Sequence, residues 1–417
     1  MLTAAEASAR LMRDMAPRSG VSVPLLDAHG LVLSAATTAT VTLPPWPNAA
    51  MDGYAVRADD VVAATALAPI TLPVTETIAA GAFPTRALAR GHAVRIMTGA
   101  PAPEGADTVI RVEDTDGGET TVIIRNARDA RRNIRPAGED VRAGEALLPA
   151  GSWLGGAQLG LLAAAGVPDV FVHPRPRVAI LSSGNELVPL SEVAEARAGR
   201  KIVSSNSIAL AALVREAGGV PVEFGIVRDD PDALAAALRE AAARADIIVT
   251  TAGVSVGAFD YTRDAVRAAG GTIDFWKVRL RPGAMLGAGT VGAVPWLGLP
   301  GNPVSAVVTF ELFVRPIIRR LMGHVHCLPR SVTCELAEPL RTAGGTTYLL
   351  RASLAPRAEG PPLASLAGLQ GSHVQSALAR GNALLVVPPD SARAAAGTLL
   401  RAIPLGEDRA FTSEFPF

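Results

Sequence analysis

RVAILSSG, Arg177–Gly184, is the stretch whose reading decides the fold. It is a continuous apolar run ending in a Ser/Gly turn, with no alternation of polar and apolar positions. A strand of that kind belongs inside a parallel sheet with both faces covered. Working outward, SNSIALAALVREAGG follows, with Ser205 or Asn206 as the cap and Gly218–Gly219 as the stop. Its residues Leu210, Leu213, Val214 and Ala217 fall on one helical face. VEFGIV reads as a second strand and DIIVTT as a third. Between them DDPDALAAALREAAARA is a helix capped by Asp230, with Pro231 at its first position. Another helix runs from about Asp260 to Ala269. This alternation with short loops predicts an α/β layer with a mostly parallel sheet.

On either side the texture changes. Residues 44–141 alternate short β-type runs (AVRIMTG, TVIRVED, TTVIIRNA) with turns, which predicts a small all-β module. Before it, VLSAATTATVTLP reads as strand; after it, GGAQLGLLAAAG reads as a helix closed by Gly166. The expected plan is an elongated first domain from 1–43 and 142–174, with 44–141 inserted as a second. The α/β domain follows over 175–326 and a C-terminal β-barrel-like domain over 327–417, where period-2 runs return.

Composition narrows the function. The 417 residues carry 39 Lys plus Arg against 39 Asp plus Glu, so the formal net charge is zero. That argues against nucleic acid or a membrane surface as the main partner. Cys327 and Cys334 form neither a disulfide framework nor a metal-spaced set, as expected in a reducing compartment. The N-terminal MLTAAEASARLMRDMA has no signal-peptide core, and no apolar run is long enough to span a bilayer. A cytoplasmic protein is expected. Lysine occurs only at Lys201 and Lys277. In so arginine-rich a chain, a surviving lysine points to chemistry that needs a compact, tunable charge.

Ligands of open α/β sheets bind beyond the carboxyl ends of the strands. That rule selects Ser183, Gly184, Asn185 and Glu186 after the first strand and Asp229 after the second. After the third comes AGVSVGAFD, where Gly253, Ser255 and Gly257 suit an anion-cradling backbone before Asp260. Pro300, Gly301, Asn302, Pro303 and Ser305 open a later helix, with Asn302 as its expected cap. In WKVRLRPG, Lys277, Arg279 and Arg281 share one side of an expected strand and form a candidate phosphate or oxyanion clamp. Asp52, Asp229 and Asp260 offer hard oxygen ligands for Mg2+. No dinucleotide or P-loop glycine motif occurs at these turns. PPWPNAAMDGYAV, Pro44–Val56, sets Asp52 directly before Gly53, which on its own reads as a tight turn.

These segments, taken in order, resemble the MoeA-type molybdopterin molybdenumtransferases, the family that includes the E domain of gephyrin. The likeness runs through PPWPNAAMDGYAV, IMTGAPAPEGADTVI, NIRPAGEDV, LSSGNELV, AGVSVGAFDYT, WKVRLRPG, GLPGNPVSAVVTFELFV and QGSHVQSALARGNALLVVP. The resemblance implies Mg2+-aided insertion of molybdate into adenylylated molybdopterin with loss of AMP, in an elongated homodimer. It also implies that Asp52 looks into an active site. Glu186, Asp229 and Asp260 match the family's functional acids; Lys277 and Arg281 match its cations. Thr98 matches its I-M-T-G-A-P threonine, and Arg351 and Ser372 its C-terminal oxyanion positions. The molybdopterin adenylyltransferase and molybdoenzyme maturation proteins are the implied partners.

The chain departs from the family at several points. Arg281-Pro282-Gly283-Ala284-Met285 stands where K-P-G-K-P is usual, which removes a cation at Ala284. Asn185 replaces an aspartate, Ala252 a glycine, and Gly344–Thr347 lacks its usual basic residues. The alternative these changes suggest is a paralogue that binds molybdopterin, or delivers the finished cofactor, without inserting metal.

Overall fold

The computed structural model describes residues 1–251 and 259–406, without the side chains of 259–261. The chain forms two compact units. One comprises Ser22–His29 and Ala35–Val172; the other comprises Met1–Val21, Gly30–Ser34 and His173 onward.

The smaller unit is built on five strands: β1 Gly53–Val56, β2 Ile70–Ile78, β3 Ala93–Ile96, β4 Thr108–Arg111 and β5 Thr121–Ile124. They lie in the order β4-β1-β3-β2-β5, antiparallel except for the β2–β3 pair. Side chains of β1 alternate between two cores. Tyr54 and Val56 pack with Ile110 and Val122, while Ala55 packs with Val94, Ile96 and Val109. Both faces are therefore covered, and β1 is buried throughout. Gly53 serves that burial. A Cβ there would sit 1.9 Å from the Ile110 carbonyl oxygen. The glycine after Asp52 thus allows close approach of β1 to β4 and begins a strand, where the dipeptide alone predicts a turn.

Two two-residue strands, Val32–Leu33 and Thr37–Thr38, and a single bridge from Leu43 to Val141 form in the stretch expected as strand, because the chain bends at Ser34–Ala35. Helix α1, Gly156–Ala164, ends as its sequence predicts. Gly166 adopts φ 74°, and Val167 N–H bonds back to the Leu162 carbonyl at 2.9 Å.

The larger unit contains the α/β layer. Its elements are β6 Arg177–Ser183, α2 Ser205–Glu216, β7 Val220–Val227, α3 Pro231–Arg244, β8 Ile247–Thr251, α4 Phe259–Ala268 and β9 Gly271–Phe275. Then come β10 Leu280–Arg281, β11 Gly287–Val291, β12 Val294–Leu299 and α5 Pro303–Thr309. A π-turn at Phe310–Val314 joins α5 to α6, Arg315–Leu321. The sheet order is β7-β6-β8-β12-β11-β9, with the first four strands parallel and the last two antiparallel additions. Asp230 caps α3 as expected, accepting the Ala233 N–H at 2.8 Å. Trp296 on β12 is wholly buried against Trp276, and its indole N–H donates to Thr250 Oγ1 at 3.2 Å. Burying an aromatic of that size removes roughly 200 Å² from water, on the order of 5 kcal/mol before entropy.

The C-terminal strands include β13 Val332–Leu336, β14 Leu340–Arg341, β15 Thr347–Ala355, β16 Leu363–Leu366, β17 Ala383–Val387 and β18 Leu399–Pro404, and β14 pairs with the two residues Arg393–Ala394. Five close into a barrel, β15-β16-β13-β18-β17 and back to β15, around Leu350, Leu385, Val387 and Ala402. Strand β10 pairs in parallel with β15 from outside that ring. Among the described residues, no helix is long and apolar enough to cross a membrane.

Candidate active site

Four parallel strands end at one cavity of about 900 Å³. Ser183 closes β6, Asp229 follows β7, Thr251 closes β8 and Pro300 follows β12, and all four line it. This is the place the strand-end rule selects. Thr251 Oγ1 donates to Ser182 Oγ at 3.1 Å and ties two of those ends together. The charged groups on its wall are Glu186 and Asp229, with no Lys or Arg among the described lining residues. Gly184, at φ 151°, lets the turn close: a Cβ there would lie 2.7 Å from the Glu186 carboxylate. Asn185 N–H donates to Asp229 Oδ2 at 3.0 Å, and its side-chain oxygen faces Asp229 N–H at 3.4 Å. Lys201 Nζ donates to the Asn185 carbonyl. The Asn185 amide thus does its positioning work without a charge.

A second cavity, of about 1010 Å³, has the opposite character. Arg281, Arg341 and Arg351 line it, with hydroxyls from Ser305, Thr342, Thr346 and Ser372, and no described carboxylate. Arg281 lies over the Tyr348 ring at 5.7 Å, a cation–π contact that steadies it. Arg351, on β15, is fully buried. Its Nη2 donates to the carbonyls of Leu369 at 3.3 Å and Gly371 at 3.1 Å, while Nε and Nη1 meet no partner among the described residues. Burial pushes its guanidinium below the ordinary arginine value. Thr346 Oγ1 is likewise buried without a partner. Unmade bonds of this kind cost about 1–3 kcal/mol each and are met when an anion supplies the acceptors.

The loop after β16 is stitched to both sides of the basic cavity. Gln370 accepts the Arg351 N–H at 2.9 Å and donates to the Arg351 carbonyl at 3.0 Å. Ser372 accepts Asn302 Nδ2 on its hydroxyl at 2.9 Å and Val304 N–H on its carbonyl at 3.1 Å. Asn302 stands at the cap position of α5 but makes no side-chain cap bond, because its amide goes to Ser372. Gly301, Asn302 and Pro303 line the acidic cavity; Ser305 lines the basic one.

The expected row of cations is separated by the structure. Lys277, Arg279 and Arg281 are exposed with Val278 and Leu280 buried between them, as period 2 requires. The backbone is nevertheless not one strand, since β9 stops at Phe275 and Arg279 N–H bonds to the Leu2 carbonyl at 2.7 Å. Lys277 faces a separate cavity of about 320 Å³, beside Phe275 and Trp276. Of the three, only Arg281 lines the basic cavity. Gly253, Ser255 and Gly257 lie outside the described residues, as does the Asp260 side chain at the start of α4. Arg341 and His373 are site residues that the sequence reading did not single out.

In the smaller unit Asp52 is exposed immediately before β1. Thr98 donates both its N–H and its hydroxyl to Asp52 Oδ1, each at 2.7 Å. The hydroxyl and then the backbone bond hold the carboxyl below the usual aspartate range. Thr98, expected as a substrate contact, holds the Asp52 carboxylate through both of its donors. Elsewhere, burial pulls His324 down to about 4, and the Cys327 thiol donates to the His324 carbonyl at 3.1 Å.

Comparison with known proteins accounts for all three portions of the chain. Residues 2–166 match the MoeA N-terminal region (domain I and II), residues 179–320 a probable molybdopterin binding domain, and residues 333–405 the MoeA C-terminal region (domain IV). The class is therefore a molybdopterin-binding α/β domain flanked by MoeA-type regions. Molybdopterin molybdenumtransferase 2 of Mycobacterium tuberculosis is 41% identical over 403 residues, covering 94% of this chain and 96% of the relative. A molybdopterin molybdenumtransferase of a Nostoc species is 42% identical over 72% of this chain and 69% of its own. The crystal structure of a molybdopterin biosynthesis MoeA protein from Pyrococcus horikoshii superposes with a TM-score of 0.82 at 27% identity, covering 97% of this chain and all of that one. The chain belongs to the MoeA-type molybdopterin molybdenumtransferase family, enzymes of molybdenum cofactor biosynthesis.

Proposed function

We propose that this chain inserts molybdate into adenylylated molybdopterin, with Mg2+-dependent release of AMP. The observation that carries this reading is the pair of unlike cavities in the larger unit. Molybdate is a compact tetrahedral dianion, and the basic cavity offers it three guanidiniums, hydroxyl donors and the unspent N–H groups of Arg351. The acidic cavity has the volume of a site for a cofactor-sized molecule. Arg341 supplies a cation in the cavity that Ala284 also lines, which favours insertion over the binding-only alternative.

The donor chemistry fits Mg2+. Glu186 and Asp229 present hard oxygens on one wall, and Mg2+ takes one or two carboxylates while keeping waters and substrate phosphates. These two residues would hold it in the cavity, Asp229 being one of the three carboxylates read from the sequence and Glu186 standing in addition to Asp52 and Asp260. The ion supplies Lewis-acid polarisation of the phosphoanhydride. The remaining work belongs to the chain. Gly184 leaves room for the Glu186 carboxylate, Asn185 N–H holds Asp229, Arg281 and Arg351 hold the oxyanion, and Thr98 holds Asp52 Oδ1. Gly253, Ser255 and Gly257 remain the phosphate cradle of this reading, and Lys277, at its separate cavity, is a cation outside the basic site.

Purified protein, adenylylated molybdopterin and Mg2+, assayed for AMP by chromatography with and without molybdate, test the reading. AMP release that depends on molybdate is expected. Asp52→Asn and Asp229→Asn should each lower it at least ~100-fold, a barrier change of about 2.7 kcal/mol. Release indifferent to molybdate, or near-wild-type turnover in both variants, would overturn it.

A further inference from the structure

We propose that His373 hands the oxyanion from the basic cavity to the acidic one. The inference rests on the transferase reading above and adds a residue to it. Among the described residues, His373 alone lines both cavities. Its ring is exposed and makes no hydrogen bond among those residues. The backbone beneath it is fixed on all sides. Arg351 holds the Gly371 carbonyl, Asn302 holds Ser372, and Gln375 N–H donates to the His373 carbonyl at 3.1 Å. Gln375 also reaches Ser205 Oγ at 3.2 Å, on the acidic side. Gly371 clears the space the imidazole occupies, since a Cβ there would lie 2.8 Å from His373 Cε1.

The charge pattern explains why such a residue is needed. A dianion is attracted by Arg281, Arg341 and Arg351, and the acidic cavity offers no described Lys or Arg in return, so the charge pattern keeps the ion on the basic side. A fourth arginine at the junction would deepen the well on the basic side and hold the ion there. An imidazole offers one directed N–H donor without a permanent charge, and its other nitrogen accepts. It can bond an oxyanion oxygen during passage and release it. No bond to molybdenum is made or broken in this step.

The test uses the full chain with His373→Phe, which keeps a ring of similar shape without donors, and His373→Asn, which keeps an amide donor. Molybdate retention is measured by equilibrium dialysis, and kcat and KM for molybdate by AMP release. Retention within about twofold of wild type is expected in both, with kcat at least ~30-fold lower in His373→Phe and partly restored in His373→Asn. If His373→Phe does not fold, retained molybdate with reduced kcat in His373→Asn carries the same conclusion. Wild-type kcat in the folded variants would overturn the hand-over alone, since molybdate then reaches the acidic cavity by another route. A loss of retention as large as in Arg351→Met would also overturn it, making His373 an ordinary ligand of the basic cavity. A wild-type protein that binds molybdate but releases no AMP would overturn the transferase reading, and the hand-over with it, before any variant is made.

Discussion

Among the described residues two arginines are buried in the larger unit, and they are treated in opposite ways. Arg315, 6% exposed, begins α6 directly after the π-turn. Its Nε and Nη2 make a bidentate pair with Glu311, both bonds 2.7 Å, and Nη2 also reaches Glu216 at 3.3 Å. Burial alone pulls its proton affinity down, but the Glu311 bonds and charge raise it overall. Arg351, fully buried on β15, has two carbonyls, no carboxylate, and two nitrogens, Nε and Nη1, unspent. Burial pulls it down and nothing opposes the shift. A charge that only holds the fold is satisfied by the fold; one left half-satisfied beside a cavity is waiting for a ligand.

Removing the partner of the first arginine should have the largest effect. Glu311→Ala leaves Arg315 buried with only the partly exposed Glu216, and breaking a buried pair this way costs about 3–5 kcal/mol. A shift in the urea midpoint measures it. Arg351→Met should leave stability within about 1 kcal/mol, because the unsatisfied donors leave with the charge. Its molybdate retention should fall ~100-fold, equivalent to about 2.7 kcal/mol. If Arg351→Met destabilises the protein as much as Glu311→Ala does, the contrast fails and Arg351 is structural. The smallest effect is expected from Ala284→Lys. With Arg341 already on the same wall, AMP release should stay within about threefold of wild type, below ~0.7 kcal/mol. A gain beyond tenfold would instead make Ala284 the limiting departure and favour the non-inserting paralogue.

What was legible in the sequence follows from how local its physics is. RVAILSSG became β6, Asp230 capped α3, and Gly166 closed α1, because each rests on neighbours within a few residues. Features decided by distant partners were misread. The Asn302 side chain was claimed by Ser372, 70 positions away, so the cap bond was lost. The period of Lys277, Arg279 and Arg281 survived, yet pairing with Leu2 broke the strand and sent Lys277 to another cavity. Arg341 and His373 were invisible for the same reason. The basic cavity gathers residues from 281–284, 341–351 and 370–373, and no spacing rule joins those segments.

The parallel pairing of β10 with β15 has a consequence for how this protein can be divided. Leu280 and Arg281 lie next to Thr347 and Tyr348 in the same ladder, so the α/β portion lends the barrel an outer strand. A fragment beginning near residue 327 would bare the β15 edge that β10 covers, an open template for self-association. It would also lack Arg281 and the rest of the wall that Leu280–Ala284 and Ser305 supply to the cavity around Arg351. The C-terminal barrel is thus not a portable module. Gene fusions or truncations that keep it active must carry the chain from β10 onward.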